Sequence, residues 1–131
     1  MNFSYLTVTN MSMSDDDVSL TLTSNSNPRN TFTIQTSMPN FDLYLGQQFT
    51  CAIEDEDDDT VTKSTSGDTI YVYGKLVTAN VGEQNGYAYS FIDVDDANAC
   101  SYVIANLVAP RDAQTPTFFL GKMYAITFMP A

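Results

Sequence analysis

Apolar and polar residues alternate along most of this chain, and that period of two limits what it can fold into. Val18, Leu20 and Leu22 are separated by Ser19 and Thr21. The same alternation recurs in three further segments, at residues 32–35, 49–53 and 124–128. Successive side chains of a strand point to opposite faces, so the pattern predicts strands with one buried and one exposed face, paired mainly in antiparallel sheets.

Further strands are predicted where Tyr, Val and Ile are frequent. These segments are residues 3–8, 70–77, 87–94 and 101–108. Residues 24–30 are rich in Ser, Asn and Pro, and Gly82 and Gly86 allow another tight turn. A single turn at residues 95–101 is the best helical candidate. We therefore expect one all-β domain over residues 1–131, a single antiparallel β-sandwich or small barrel of about seven to nine short strands.

Two segments share a pattern of aromatic residue, Leu, Gly, two free positions and an aromatic residue that opens an alternating stretch. They are residues 43–53 and 118–128. We expect Gly46 and Gly121 to form matching bends that lead into core strands, with Leu45 or Leu120 covering the core, because glycine adopts conformations that other residues resist. The pattern predicts pseudo-duplicated halves. Their glycine segments are interpreted either as equivalent corners of the fold or as equivalent ligand loops.

Sixteen acidic residues against five basic ones give the chain a formal net charge of −11. Such a surface repels phosphate, so we expect neither nucleic acid nor an anionic membrane as a partner. The opening residues lack both a basic segment and an apolar run, and no stretch is long and apolar enough to span a membrane. These features predict cytoplasmic synthesis without a signal peptide.

The sequence contains no histidine. Its absence removes the commonest general base, the usual Ser–His and Cys–His nucleophile pairs, and most zinc and copper sites. Asp42 is the one acid within an otherwise apolar stretch, and a single carboxyl group does not make a glycosidase-type pair. We expect a protein that is not an enzyme and has no cofactor.

Acidic residues form three clusters, at residues 15–17, 54–59 and 93–98. Asp93, Asp95 and Asp96 are weak candidates for metal ligands, because calcium prefers carboxylate and carbonyl oxygens. The segment lacks the glycine of a calcium-binding loop and has Ile104 where that loop has its final glutamate. We therefore expect solvated loops that bind calcium weakly or not at all.

The two cysteines are too few for a disulfide scaffold. Cys51 alternates with Phe49 and Ile53, which predicts a small core side chain. A disulfide between Cys51 and Cys100 stays open as an alternative.

Aromatic residues supply the candidate interface. Its members are Phe3, Tyr5, Tyr71, Tyr73, Tyr87 and Tyr89. The last four lie on two successive strands, and we expect them to form one Tyr-rich sheet face if those strands pair. The segments at residues 3–8 and 123–128 are also expected to be sheet edges, whose unpaired backbone groups invite another strand.

Together these features favour a non-enzymatic structural or assembly protein that forms a homo- or hetero-oligomer with other protein chains. A viral or phage virion component, such as a capsid decoration protein, fits this composition best. The first alternative is a carbohydrate- or calcium-binding β-sandwich module. The second is an acidic inhibitor that mimics nucleic acid.

Overall fold

The computed structural model describes residues 2–37, 42–55, 69–81, 86–93, 101–108 and 118–131, with only the backbone described at Val81. This part of the chain consists of strands and short connections, without a helix. The eight strands are β1 (Asn2–Met13), β2 (Asp17–Ser24), β3 (Thr31–Ser37), β4 (Gln48–Asp55), β5 (Ile70–Val81), β6 (Gly86–Ile92), β7 (Tyr102–Val108) and β8 (Met123–Pro130). The all-β prediction is confirmed. Residues 95–100 of the predicted helical turn lie outside the described residues.

The strands form one antiparallel sheet that closes on itself in the order β1-β2-β3-β7-β6-β5-β8-β4. Of the two predicted architectures, the strand pairing matches the small barrel. The first and last strands are not edges, so that expectation was wrong. β4 pairs with both of them, at Leu6 with Phe49 and at Cys51 with Phe128, and these distant pairings close the ring.

The alternating apolar residues fill the interior of the barrel, as the period of two predicts. Val18, Leu20 and Leu22 of β2 are buried, and Ser19 and Thr21 between them lie on the outer face. The largest fully buried side chains are Phe32, Phe49, Phe91 and Phe128, together with Leu and Ile residues. Removing each such side chain from water contributes roughly 1.5–3 kcal/mol, so this core is the main source of stability.

Two equivalent halves make up the barrel. Each strand has a counterpart in the other half: β1 corresponds to β5, β2 to β6, β3 to β7 and β4 to β8. When every strand is replaced by its counterpart, all pairs of neighbouring strands in the ring stay the same. The register repeats as well. Phe49 and Tyr124 occupy the same position in the repeated segments; Phe49 pairs with Leu6 of β1, and Tyr124 pairs with Gly74 of β5. Both halves also have a register shift at the same place, after Val8 in β1 and after Leu76 in β5. The prediction of pseudo-duplicated halves therefore holds at the level of strand register.

The pseudo-two-fold axis passes through the two ladders that join the halves. Ala52 pairs with Thr127 in the β4–β8 ladder, and Thr33 pairs with Ile104 in the β3–β7 ladder. In each pair, one residue occupies in the first half the position that the other occupies in the second half. The axis that relates the halves must therefore pass between the two residues. A two-fold axis perpendicular to an antiparallel ladder reverses the strand direction, so this axis exchanges the two ends of the barrel.

Gly46 and Gly121 form the matching bends that the sequence predicts. Their φ angles are +88° and +83°, which a type II turn requires at its third residue. Gln47 N–H donates to the Tyr44 carbonyl at 3.2 Å, and Lys122 N–H donates to the Phe119 carbonyl at the same distance. We call residues 44–47 the first turn and residues 119–122 the second turn; they lead into β4 and β8 respectively.

Each turn is bonded to the neighbouring strand where that strand changes register. Gly46 N–H donates to the Val8 carbonyl at 2.9 Å, and Gly121 N–H donates to the Leu76 carbonyl at 2.8 Å. The two turns are therefore equivalent in their environment as well as in their sequence. The expectation that Leu45 or Leu120 covers the core was wrong, since both side chains are exposed.

We expect Gly46→Ala and Gly121→Ala to destabilise the protein by similar amounts, about 1 kcal/mol each. An added Cβ meets nothing within 4 Å at either position, so the cost comes from the positive φ alone. Urea unfolding of the two variants measures it. Leu45→Ala is the control, because it shortens an exposed side chain of the first turn without changing its φ. Clearly unequal glycine costs would contradict the equivalence of the turns.

A second irregularity in β1 explains why Phe3 is half-buried. The register shifts between Phe3 and Leu6, and Tyr5 lies there with φ +59°. An extra residue in a strand turns all residues beyond it to the opposite face. Phe3 consequently points inward, and its ring packs edge-on against Phe32 at 5.0 Å between centroids. The bulge leaves Tyr5 exposed.

Candidate interaction surface

The six aromatic interface candidates do not form one surface. Tyr87 and Tyr89 do lie on a strand paired with β5, but Tyr89 is 3% exposed and belongs to the core. The ring of Tyr87 stacks on that of Tyr89, with 6.0 Å between their centroids, and packs against the same core. Tyr71 and Tyr73 lie at the other end of β5, where they pair with β8. The prediction of a single Tyr-rich face was therefore wrong, because the register separates the two pairs.

Of the six candidates, Tyr5 is the one with a large exposed hydrophobic side chain. Its left-handed backbone costs about 1–2 kcal/mol, since a Cβ crowds the next carbonyl in that conformation. The Tyr5 carbonyl accepts a hydrogen bond from Asn25 N–H at 3.0 Å, which helps to hold the bulge. Tyr5 thus combines backbone strain, which often marks functional positions, with an accessible aromatic ring.

The metal candidates are only partly described. Asp93 directly follows β6, whereas Asp95 and Asp96 lie outside the described residues. Within the part of the chain that the structure covers, no group of three or more Cys, Asp or Glu side chains is placed to hold a metal ion. Asp93 lies close enough to Tyr71 to affect the pKa of Tyr71. Burial first, and the Asp93 charge second, raise the pKa of Tyr71 above 10.0.

Cys51 is a buried residue of the core, as the alternation predicts. It carries a free thiol, so the alternative of a disulfide does not apply to it. Cys100 lies outside the described residues. Burial raises the pKa of the Cys51 thiol far above its ordinary value of 9.0, because a thiolate there would lose its hydration.

Sequence reasoning missed an exposed apolar surface of the described residues, which belongs to the two turns. Tyr44 and Leu45 of the first turn, and Phe119 and Leu120 of the second, are between 58% and 66% exposed. The signal was present in the repeated pattern of aromatic residue, Leu and Gly. The expectation that the two leucines cover the core failed for a local reason. The period of two ends before each turn, so it no longer indicates which side of the chain is buried there.

Both turns hold their exposed side chains on an anchored backbone, although different side chains provide the anchor. In the first turn the Gln47 Oε1 accepts the Tyr44 N–H at 3.3 Å. In the second turn the Tyr124 hydroxyl accepts the Phe119 N–H at 2.9 Å. The second turn is also bound by an ion pair, with Lys122 Nζ 2.5 Å from Asp55 Oδ2. Anchoring lowers the entropy that these side chains lose on contact with a partner.

Among the described residues, the strand segment that bonds the second turn is followed or paired by exposed apolar side chains, whereas the equivalent positions beside the first turn are Thr residues. Val77 occupies the register shift of β5 and is 41% exposed, and Ile92 of β6 is 43% exposed. Their equivalents in the first half are Thr9 and Thr23, whose hydroxyl oxygens are 3.0 Å apart. We call Val77, Ile92, Phe119 and Leu120 the second-half patch.

No protein-family model matches this chain, and no curated protein matches its sequence. None of the described residues belongs to a helix long and apolar enough to cross a membrane. The fold and the surface together define a small closed antiparallel barrel with two equivalent apolar turns, one at each end.

Proposed function

We propose that this chain is a non-enzymatic structural protein that docks onto other protein chains of a larger assembly. The observation that carries the proposal is the pair of anchored turns, each with an exposed aromatic residue and an exposed Leu. Exposed apolar side chains that cluster at defined places are typical of interaction sites rather than of a monomer's surface. A virion component, such as a capsid decoration protein, remains the context that the acidic composition and the pseudo-duplicated barrel favour.

The closed sheet determines how such docking can take place. Every strand has a partner on both sides, so neither terminal strand offers an open edge to another chain. Docking by strand addition is therefore not open to the described strands, which favours contacts made by side chains. Tyr44, Leu45, Phe119 and Leu120 are suited to this role, because aromatic residues are enriched in interfaces and bury much apolar area with few rotatable bonds.

Charge favours a partner with basic groups around an apolar pocket. The chain has a net charge of −11, which repels acidic surfaces and attracts basic ones over distances of about 8–10 Å at ordinary ionic strength. Apolar contact would then supply affinity, and the charge would raise the rate of encounter. The carbohydrate-binding alternative is weaker, because its four tyrosines do not share a face.

Native mass spectrometry of material from the natural source tests this proposal. We expect the chain in a complex with other polypeptides, and we expect Leu45→Ser with Leu120→Ser to reduce its incorporation at least tenfold. Met13→Ser is the control, since it removes a similarly exposed apolar side chain at the end of β1, outside both turns. Recovery of the chain only as a free monomer would overturn the proposal.

A further inference from the structure

The two turns present the same pair of side chains at opposite ends of the barrel. The pseudo-two-fold axis relates residues 44–45 to residues 119–120, and each pair is an exposed aromatic residue followed by an exposed Leu. The backbone beneath them is the same as well, with a glycine of positive φ and a bond to the neighbouring strand in each turn. A surface that recognises one turn therefore finds the same kinds of side chain on the other.

From this repetition we infer that the chain is a connector with two binding ends, whose first and second turns bind the same site on two copies of one partner chain. The inference rests on the proposed function and states the number and kind of its partners. Gly46 lies six positions before Ala52, and Gly121 lies six positions before Thr127, the two residues that flank the axis. At about 3.3 Å per strand residue the turns are up to about 40 Å apart, so one pocket cannot receive both.

An acidic run accompanies each turn and indicates what kind of surface receives it. β1 continues past its bonds to the first turn and leads into the Asp residues at 15–17. Beside the second turn, β4 ends in the acidic run 54–59, whose six acids outnumber Lys75 and Lys122. Lys122 is in addition already paired with Asp55 of that run. A second copy of this chain has the same negative charge and is repelled, so the partner is a different chain, with an apolar pocket and basic groups at its rim.

The side chains beside the two turns are similar in shape but differ in polarity. In the second-half patch they are Val77 and Ile92, and in the first half they are Thr9 and Thr23. All four are β-branched, so one pocket can close over either turn. At the second turn no hydroxyl group has to be removed from water, and we therefore expect this turn to bind the partner about tenfold more tightly than the first.

Photocross-linking in the native assembly tests whether both turns bind the same site. The photoreactive amino acid p-benzoylphenylalanine replaces Tyr44 in one variant and Phe119 in another, where it takes the place of an exposed aromatic ring. We expect both variants to cross-link to the same peptide of the same partner chain, as mapped by mass spectrometry. The same replacement at Met13, which is exposed outside both turns, is the control and should not cross-link to that peptide.

Native mass spectrometry of the chain mixed with the partner that the cross-link identifies then measures the number of partners. The wild type should hold two partner copies. Leu45→Ser and Leu120→Ser, each alone, should weaken their own site about tenfold and leave the other site filled, since both leucines are exposed and neither change affects the core.

The outcomes separate the connector from the proposed function. Cross-links from the two turns to different chains, or to another copy of this chain, would overturn the connector and leave docking itself intact. A wild type that holds a single partner copy would do the same. If neither turn cross-links to any polypeptide, the proposed function is overturned as well.

Discussion

Phe118→Ala is expected to lower the free energy of unfolding by about 3–4 kcal/mol. Phe118 precedes the second turn, and its buried ring meets three other aromatic rings edge-on. The centroid distances are 5.0 Å to Tyr89, 5.6 Å to Phe91 and 5.2 Å to Tyr124. Alanine removes these contacts and leaves a cavity that the paired strands around it can close only in part.

The neighbouring residue provides the control for this prediction. Phe119 is the adjacent residue and is exposed, so Phe119→Ala should change the free energy of unfolding by less than about 0.5 kcal/mol. Both variants are to be measured by urea unfolding at the same protein concentration. Equal costs for the two substitutions would show that the aromatic cluster does not form as described.

The second large effect concerns alkaline pH and the Cys51 thiol. Burial raises the pKa of Cys51 in the folded protein, whereas the unfolded chain has the ordinary value of 9.0. Between these two values the unfolded state has lost a proton that the folded state keeps. Stability from this group is therefore complete below pH 9 and falls as the pH rises further, by up to about 1.4 kcal/mol per pH unit.

Comparison with Cys51→Ala isolates this contribution. Every other titratable group is common to the two proteins, so its effect cancels in the difference. We expect urea unfolding from pH 8 to pH 10.5 to show a steeper loss of stability in the wild type, amounting to about 2 kcal/mol at the upper end. Parallel pH profiles for the two proteins would mean that Cys51 is not buried.

The arrangement of the candidate surface was only partly visible in the sequence. Gly46 and Gly121 were identified because their segments resemble each other, and their turns do match. The equivalence of Thr9 with Val77 and of Thr23 with Ile92 could not be found in the same way, since these residues share β-branching but no residue type. It follows from the register alone.

What the sequence by itself determined is the content of the strands. The alternation of Phe49, Cys51 and Ile53 with polar or small residues specifies which side chains are buried, because a strand has only two faces. That local rule applies whatever the strand pairs with, so it predicted the all-β class and most of the core.

Only the tertiary structure decided how the strands are joined and which apolar residues stay exposed. Closure depends on β4 lying between β1 and β8, a pairing between distant residues that no local pattern encodes. The bulge at Tyr5 turned Phe3 inward, and the turns at Gly46 and Gly121 left their leucines in solvent. Alternation predicts a face only while the strand is regular; at bulges and turns, long-range hydrogen bonds determine where each side chain points.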